Sequence, residues 1–411
     1  MNGFKKELTE NILPFWIDRM QDNRYGGFYG QIDGKGQLHL EANKGAVLNA
    51  RILWTFSAAY RLLKESVYLD IAQRAFGYIC TFFIDKEQGG AYWELDYRGN
   101  PVNMKKQAYA QGFMLYGFSE FYRATGDPKA LELAKDFFRL IEKCHDDRSG
   151  GYPEAYTRDW QPIGDMRLSE KDANEKKTMN THLHILEPYT NLLRIWRDEE
   201  LIVAQRRLID IFTTKILDRE TGHLNLFFDE EWNVKSTAVS YGHDIEASWL
   251  LFEAAEVLGD RELLEKIKTL SLKMADAASE GLQADGSMIY ETDRIHSKVE
   301  QFVLAVSSGR SPDKRIPVCT DAERHWWVQA EAVVGYIYAY ENSGDIRYKE
   351  KAYGVWEYIR NYIIDKENGE WYWSRLSDGS INREDDKAGF WKCPYHNGRM
   401  CMEMMDRFVR E

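Results

Sequence analysis

Six short glycine-led aromatic segments, separated by helix patterns that alternate between uniformly apolar and amphipathic, predict an all-α fold. The arrangement that fits is an (α/α)6 toroid, or barrel, with short β-hairpin loops at one end. The segments are GGFYGQID from Gly26, GGAYWELD from Gly89, GGYPEAYT from Gly150, TGHLNLFFD from Thr221, DGSMIYETD from Asp285 and NGEWYWSRL from Asn368. With Gly27, Gly90, Gly151, Gly222, Gly286 and Gly369 as anchors, their spacings are 63, 61, 71, 64 and 83 residues. Each reads as a short strand followed by turn residues, such as YRGN ahead of Pro101 or SDGS at 377–380.

Between the segments the period turns helical. The first helix is expected over Lys5–Met20, ahead of the first glycine segment. An apolar helix then follows each segment, as in GAVLNARILWTFSAAYRLL (45–63) and AYAQGFMLYGFSEFYRAT (108–125). A turn such as GDP at 126–128, or GD at 259–260 and 344–345, leads into a more polar helix. Examples are KALELAKDFFRLIEK (129–143) and RELLEKIKTLSLKMADA (261–277), apolar at i, i+3, i+4 and i+7. Counting through YHNGRMCMEMMDRFVR gives about twelve helices. An apolar helix must be buried and an amphipathic one must cover it, which makes six inner and six outer helices. No Pro/Ser-rich linker or charge run interrupts the pattern, so residues 1–411 read as one domain. Two stretches exceed the repeat, the polar 157–178 and an insertion at about 295–325. Ordered insertions of this length serve as lids, binding loops or contacts.

Composition limits the partners. A net charge of -12 on 411 residues argues against nucleic acid and against an anionic membrane surface. No apolar run approaches a bilayer span, and MNGFKKELTENILPFW carries no signal-peptide core. Five widely spaced cysteines with no C-x-x-C pair suit buried thiols in a reducing cytoplasm. A cytoplasmic monomer or homodimer is expected.

The residues opening the inner helices would line one shared funnel: Arg51, Tyr109, the MNTHLH run 179–184, His243 with Glu246, Trp326 and Trp327, and WKCPYHNGR 391–399 with His396. Five of the nine histidines fall there (His182, His184, His243, His325 and His396); His39, His145, His223 and His296 read as surface or structural. In the stretch Tyr241–Trp249, Gly242 is expected to make a tight turn and Asp244 to cap the helix. Glu246, three residues past His243, would share its face and tune its basicity. A histidine and an acid that merely close a core helix would leave the same trace. Trp249, Trp326, Trp327 and Trp391, with Tyr109, offer faces for sugar rings, although aromatics also build cores. No G-x-G-x-x-G, P-loop, H-E-x-x-H or G-x-S-x-G is present, and the histidine spacing gives no support for a metal site. Neutral histidines at positive helix ends, on opposite walls, suggest proton removal from one face of a carbon and return to the other.

Four motifs carry a resemblance: KTMNTHLHILEPYTNL (177–192), YGHDIEASWLL (241–251), WWVQAEAVVGY (326–336) and GFWKCPYHNGRMCMEM (389–404). They resemble cellobiose 2-epimerases of the N-acylglucosamine 2-epimerase superfamily, over the chain from LPFW near residue 13 to its end. The resemblance implies an (α/α)6 barrel and reversible C2 epimerisation of the reducing-end glucose or mannose of β-1,4-linked disaccharides such as cellobiose and lactose, with no cofactor. It implies His243 and His396 as the acid/base pair, Glu246 as support for His243, and His184, rather than His182, as the group aiding ring opening. Arg51, Tyr109 and Asn180 match residues around the sugar oxygens; the tryptophans of HWWVQ and Trp391 match the aromatic walls. The ring opens, one histidine takes the C2 proton to give a cis-enediol(ate), the intermediate turns about C2–C3, and the other histidine protonates the opposite face. A monosaccharide 2-epimerase or a mannose/glucose aldose–ketose isomerase would share the enediol. A glycoside hydrolase would need a carboxylate pair such as Glu246 and Glu331, and a silent sugar-binding toroid would do no chemistry.

Overall fold

The computed structural model describes residues 2–293 and 318–408. Helices alternate between outer and inner positions. Outer α1 runs Asn2–Glu7, through a π-helical turn at Leu8–Ile12, into Leu13–Arg19, and inner α2 spans Ala46–Leu63. Then come α3 (Ser66–Tyr78), α4 (Ala108–Thr125), α5 (Pro128–Glu142), α6 (Met179–Leu193), α7 (Glu199–Ile211) and α8 (Tyr241–Leu258). The chain finishes with α9 (Arg261–Ala278), α10 (Trp326–Ser343), α11 (Ile346–Tyr358) and α12 (His396–Phe408). Among the described residues these twelve make the expected six pairs, and the fold is an (α/α)6 barrel.

Burial sorts the helices as their patterning predicts. On α2, residues 46–59 are buried without interruption, and on α4 residues 108–121. Amphipathic α5 buries only Ala130, Ala134, Phe137, Phe138 and Ile141, a single stripe. The even-numbered helices pack in succession, α2 on α4 through to α12, and α12 returns to α2. Outer α1 packs on α12, so the two ends of the chain meet. Each GD turn divides its labour. Gly126, Gly259 and Gly344 end α4, α8 and α10 in the left-handed region, and Asp127, Asp260 and Asp345 cap the next helix by accepting its backbone N–H groups.

The glycine segments are shorter as strands than their sequences suggest. Each forms only a two- or three-residue antiparallel pairing with the residues that open an inner helix: Lys44–Gly45 with Glu94–Leu95, Lys106–Gln107 with Ala155–Tyr156, Lys177–Thr178 with Phe227–Phe228, Ala238–Ser240 with Glu291–Asp293, and Arg324–His325 with Ser374–Arg375. A bridge between Ile32 and Ala388 closes the sixth. An aspartate four residues before a glycine nucleates the turn in five repeats. Asp22, Asp85, Asp146, Asp218 and Asp365 accept backbone N–H groups two and three residues on. In four of them the same carboxylate meets a lysine from the next strand: Lys44, Lys106, Lys177 and Lys387. These ion pairs hold the strand end of the barrel, and so the mouths of the inner helices.

Most of the insertion expected at 295–325 lies outside the described residues, as does His296. Its end is described: Val318–Asp321 adds a strand to Glu291–Asp293. Cys80, Cys144, Cys393 and Cys401 are free thiols. No helix among the described residues is long and apolar enough to cross a membrane.

Candidate active site

Because each of the first five inner helices is entered from a paired strand, equivalent positions on them face equivalent directions. The sixth residue of each is Arg51 on α2, Phe113 on α4, His184 on α6, Glu246 on α8 and Glu331 on α10. These side chains converge beneath the strand end of the barrel. Gly112 allows α4 and α6 to touch there, since a Cβ on it would lie 2.4 Å from the His184 carbonyl oxygen.

His396, the first residue of α12, is buried, and its Nδ1 bonds Glu331 Oε1 at 2.7 Å. The Arg399 guanidinium holds the acids behind it. Nη2 donates to Glu331 at 2.7 Å and to Glu246 at 3.0 Å, and Nη1 donates to Glu187 and Tyr395. Trp249 Nε1 adds a third donor to Glu331, at 3.0 Å. On the neighbouring wall His184 Nδ1 bonds Glu187 Oε2 at 3.0 Å, and its ring lies 5.0 Å from Tyr109 and from Phe113. Arg51 donates to Tyr109 Oη at 2.8 Å, sandwiched between the Phe113 and Tyr395 rings. His243 and His396 flank one indole. Trp327 lies 4.8 Å from the first ring and 5.6 Å from the second, centroid to centroid. Asn180 lines a cleft with His243, and the polar 157–178 stretch contributes Met166, Leu168 and Asp172 to the same cleft.

Electrostatics favour neutral imidazoles. Burial lowers the pKa of His243, and His184 lowers it further; burial also lowers His184 and His396, with Arg51 and Arg399 adding to the effect on His396. Burial raises both Glu246 and Glu331, Glu246 the further of the two, and Glu246 Oε2 has no hydrogen-bond partner among the described residues. Glu331 accepts from three donors, Arg399, Trp249 and His396. Glu187 is held down to about 2; its burial penalty is overcome by Arg399 and His184.

Several expectations need correction. Ser240, not Asp244, occupies the helix N-cap, and Gly242 lies inside α8 without a positive φ. That glycine serves packing instead, because a Cβ there would meet Trp327 and Val328 at 2.7 Å. Asp244 is drawn away by the neighbouring glycine segment, accepting from Leu224 N–H at 2.8 Å and pairing with His223 at 2.6 Å. Glu246 does not reach His243, whose Nδ1 bonds Ser240 Oγ at 2.8 Å; it sits 3.8 Å from His396 Nδ1 instead. Trp249, one turn deeper, has Arg399 stacked 4.7 Å over its ring and offers the funnel no face. Trp326 is buried against Trp373 at 4.5 Å, whereas Trp327 and Trp391 remain half-buried.

His182 belongs to a different set, the fourth residues of the inner helices. Gln111 and Gln329 each accept a backbone N–H from the glycine segment outside them, at 2.7 and 2.9 Å, and donate to the carbonyl four residues back. His182 does the same, with Nε2 accepting Tyr152 N–H at 3.0 Å and Nδ1 donating to Thr178 O at 2.7 Å. It is a structural tie. His325 stacks on Tyr290 at 4.5 Å at the start of α10. Sequence reasoning gave no individual role to Arg399, Glu187 or Tyr395, although the quoted runs 391–399 and 177–192 contain them. Glu331, considered only as half of a hydrolytic pair, shares one Arg399 nitrogen with Glu246, so no glycosidic bond fits between the two carboxylates.

Glu154, beside the cleft, is pushed up to about 8 by burial, although Thr181 and Thr178 donate to it. Between about pH 4.5 and 8 the folded chain keeps a proton that the unfolded chain releases, so stability is lost as pH rises across that window. Glu154→Gln is expected to gain about 3 kcal/mol over the parent between pH 5 and pH 8. Urea unfolding at the two pH values measures this; an equal difference at both would place the carboxyl's proton elsewhere.

The profile of the family described as N-acylglucosamine 2-epimerase (GlcNAc 2-epimerase) matches residues 27–398. A cellobiose 2-epimerase of Bacteroides fragilis is 54% identical over 402 residues, covering 98% of this chain and 97% of that one. One from Ruminococcus albus is 39% identical over 410 residues, covering 100% and 99%. The solved structure of cellobiose 2-epimerase from Bacillus thermoamylovorans B4167 superposes with a TM-score of 0.89 at 39% identity, covering 99% of this chain and 98% of that one.

Proposed function

The chain belongs to the N-acylglucosamine 2-epimerase family of sugar isomerases, and from that premise we propose that it reversibly epimerises C2 of the reducing-end glucose or mannose of β-1,4-linked disaccharides such as cellobiose and lactose. The observation that carries this is the pair of imidazoles flanking Trp327. Both are lowered toward the neutral form, and each is anchored through Nδ1, so that Nε2 is left for the substrate. Opening of the pyranose, assisted by His184 with Glu187 behind it, exposes a C1 aldehyde that acidifies the C2–H. One imidazole takes that proton. The developing enediolate is met by the donors Arg51 and Tyr109, and Asn180, whose Oδ1 lacks a hydrogen-bond partner among the described residues, accepts from a sugar hydroxyl. After rotation about C2–C3 the other imidazole protonates the opposite face. Trp327 and Trp391 offer half-buried faces to the sugar rings.

Incubation with cellobiose, lactose and mannose in D2O, followed by chromatography and NMR, tests the proposal. The expected product is the C2 epimer of the disaccharide at unchanged linkage, deuterated at C2. A ketose would make the enzyme an aldose–ketose isomerase, and released glucose a hydrolase. Conversion of mannose alone would make it a monosaccharide enzyme.

A further inference from the structure

We infer that Arg399 is a positioning residue for His396, and that it forms the buried floor of a cavity at the opposite end of the barrel. This rests on the function proposed above. One guanidinium gathers carboxylates from three inner helices, Glu187 on α6, Glu246 on α8 and Glu331 on α10, and Glu331 in turn orients His396 through Nδ1. Remove that cation and the acids have no shared partner. Glu331 then has reason to take up a proton and stop accepting from His396, and the ring loses the constraint that presents Nε2 to the funnel.

Behind the guanidinium lies a second cavity of about 340 Å³. Its floor is Arg399 and Glu187, its walls include Trp54, Tyr116 and Trp249, and its rim holds Glu256 and Asp406, which are exposed. Arg399 Nε is buried and has no hydrogen-bond partner among the described residues. Arg399 thus stands between the reaction site and this second cavity. Truncating it would leave a hole continuous with that cavity, of the shape of a guanidinium ion.

The test is Arg399→Ala, assayed on cellobiose with guanidinium chloride at tens of millimolar, and with sodium chloride or urea at matched concentration. The expected result is kcat reduced about 100-fold with KM changed less than about threefold, as for loss of a well-placed acid/base group. Guanidinium should restore at least tenfold, saturably, and with no competition from cellobiose; the controls should restore nothing. Activity within threefold of the parent, or a raised KM at unchanged kcat, overturns the inference. So does rescue that saturating cellobiose abolishes, because the ion would then be entering by the funnel. Should Arg399→Ala not fold, Arg399→Lys decides. It keeps the charge but not the two-pronged grip, and parent-like kcat in it overturns the inference. The parent chain run alongside separates the two readings, since a parent that makes no C2 epimer defeats the proposed function itself.

Discussion

Replacing His243 with Asn should abolish epimer formation by about 10³-fold while solvent deuterium still enters C2 of one epimer, and His396→Asn should do the same for the other epimer. Two-base chemistry requires this asymmetry. With one imidazole left, the enzyme can still take the proton from the face that histidine reaches, and a deuteron returns from that same face. Configuration is then retained, and label accumulates only in the sugar whose C2–H points toward the surviving base. The rate loss follows from what a placed acid/base group contributes, roughly 10²–10⁴-fold. Asn is suited to the test because each histidine's Nδ1 partner, Ser240 Oγ or Glu331 Oε1, can keep an amide neighbour, which limits the strain of an emptied site. Proton NMR of glucosyl-glucose and glucosyl-mannose incubated separately in D2O reads both outcomes. Epimer formation within tenfold of the parent in either variant would sink the two-base reading. So would exchange of the same epimer in both.

The barrel was legible because burial is nearly total on one kind of helix and confined to a stripe on the other. A run such as residues 46–59, with no polar face, can exist only inside a ring of other helices. That the candidate residues gather at the mouth of the barrel was legible, but their pairings were not. Glu246 follows His243 by three residues, and on an isolated helix that spacing makes neighbours. In the barrel, the third residue of α8 tips back to the strand at Ser240, while the sixth points inward to Arg399. The corrective signal was in the sequence all along, in the internal repeat. Placing Arg51, His184, Glu246 and Glu331 at one helical position groups them before any coordinates are known. Asp244 misled for the opposite reason. An aspartate near the start of an apolar run resembles a cap, and only the tertiary partner Leu224 N–H shows that its carboxylate is engaged elsewhere. The Asp–Lys pairs beneath the glycine turns went unseen because each joins residues some twenty to thirty positions apart, beyond the reach of local periodicity.

The same positional logic separates two histidines that stand a single residue apart. His182→Gln should leave activity within about threefold of the parent, whereas His184→Gln should lose on the order of 10²-fold. At the fourth helical position Gln111 and Gln329 already do what His182 does, so the amide oxygen can accept Tyr152 N–H and the amide nitrogen can donate to Thr178 O. At the sixth position nothing but an imidazole can both rest on Glu187 and exchange a proton with a sugar oxygen. Stability provides a second, independent reading. Burial pushes His182 down to about 4, against an ordinary value near 6.5. Between these values the unfolded chain binds a proton that the folded chain refuses, so stability falls as pH drops through the window, by at most about 1.4 kcal/mol per pH unit. Gln does not titrate. Subtracting the parent's urea-unfolding free energy from the variant's at pH 7.5 and again at pH 4 cancels every group the two share. The difference should grow by about 3 kcal/mol in the variant's favour as the solution is acidified. A flat difference would mean that His182 is protonated in the fold, which its acceptance of Tyr152 N–H forbids. A dead but well-folded His182→Gln would mean that the two positions are not what the repeat says they are.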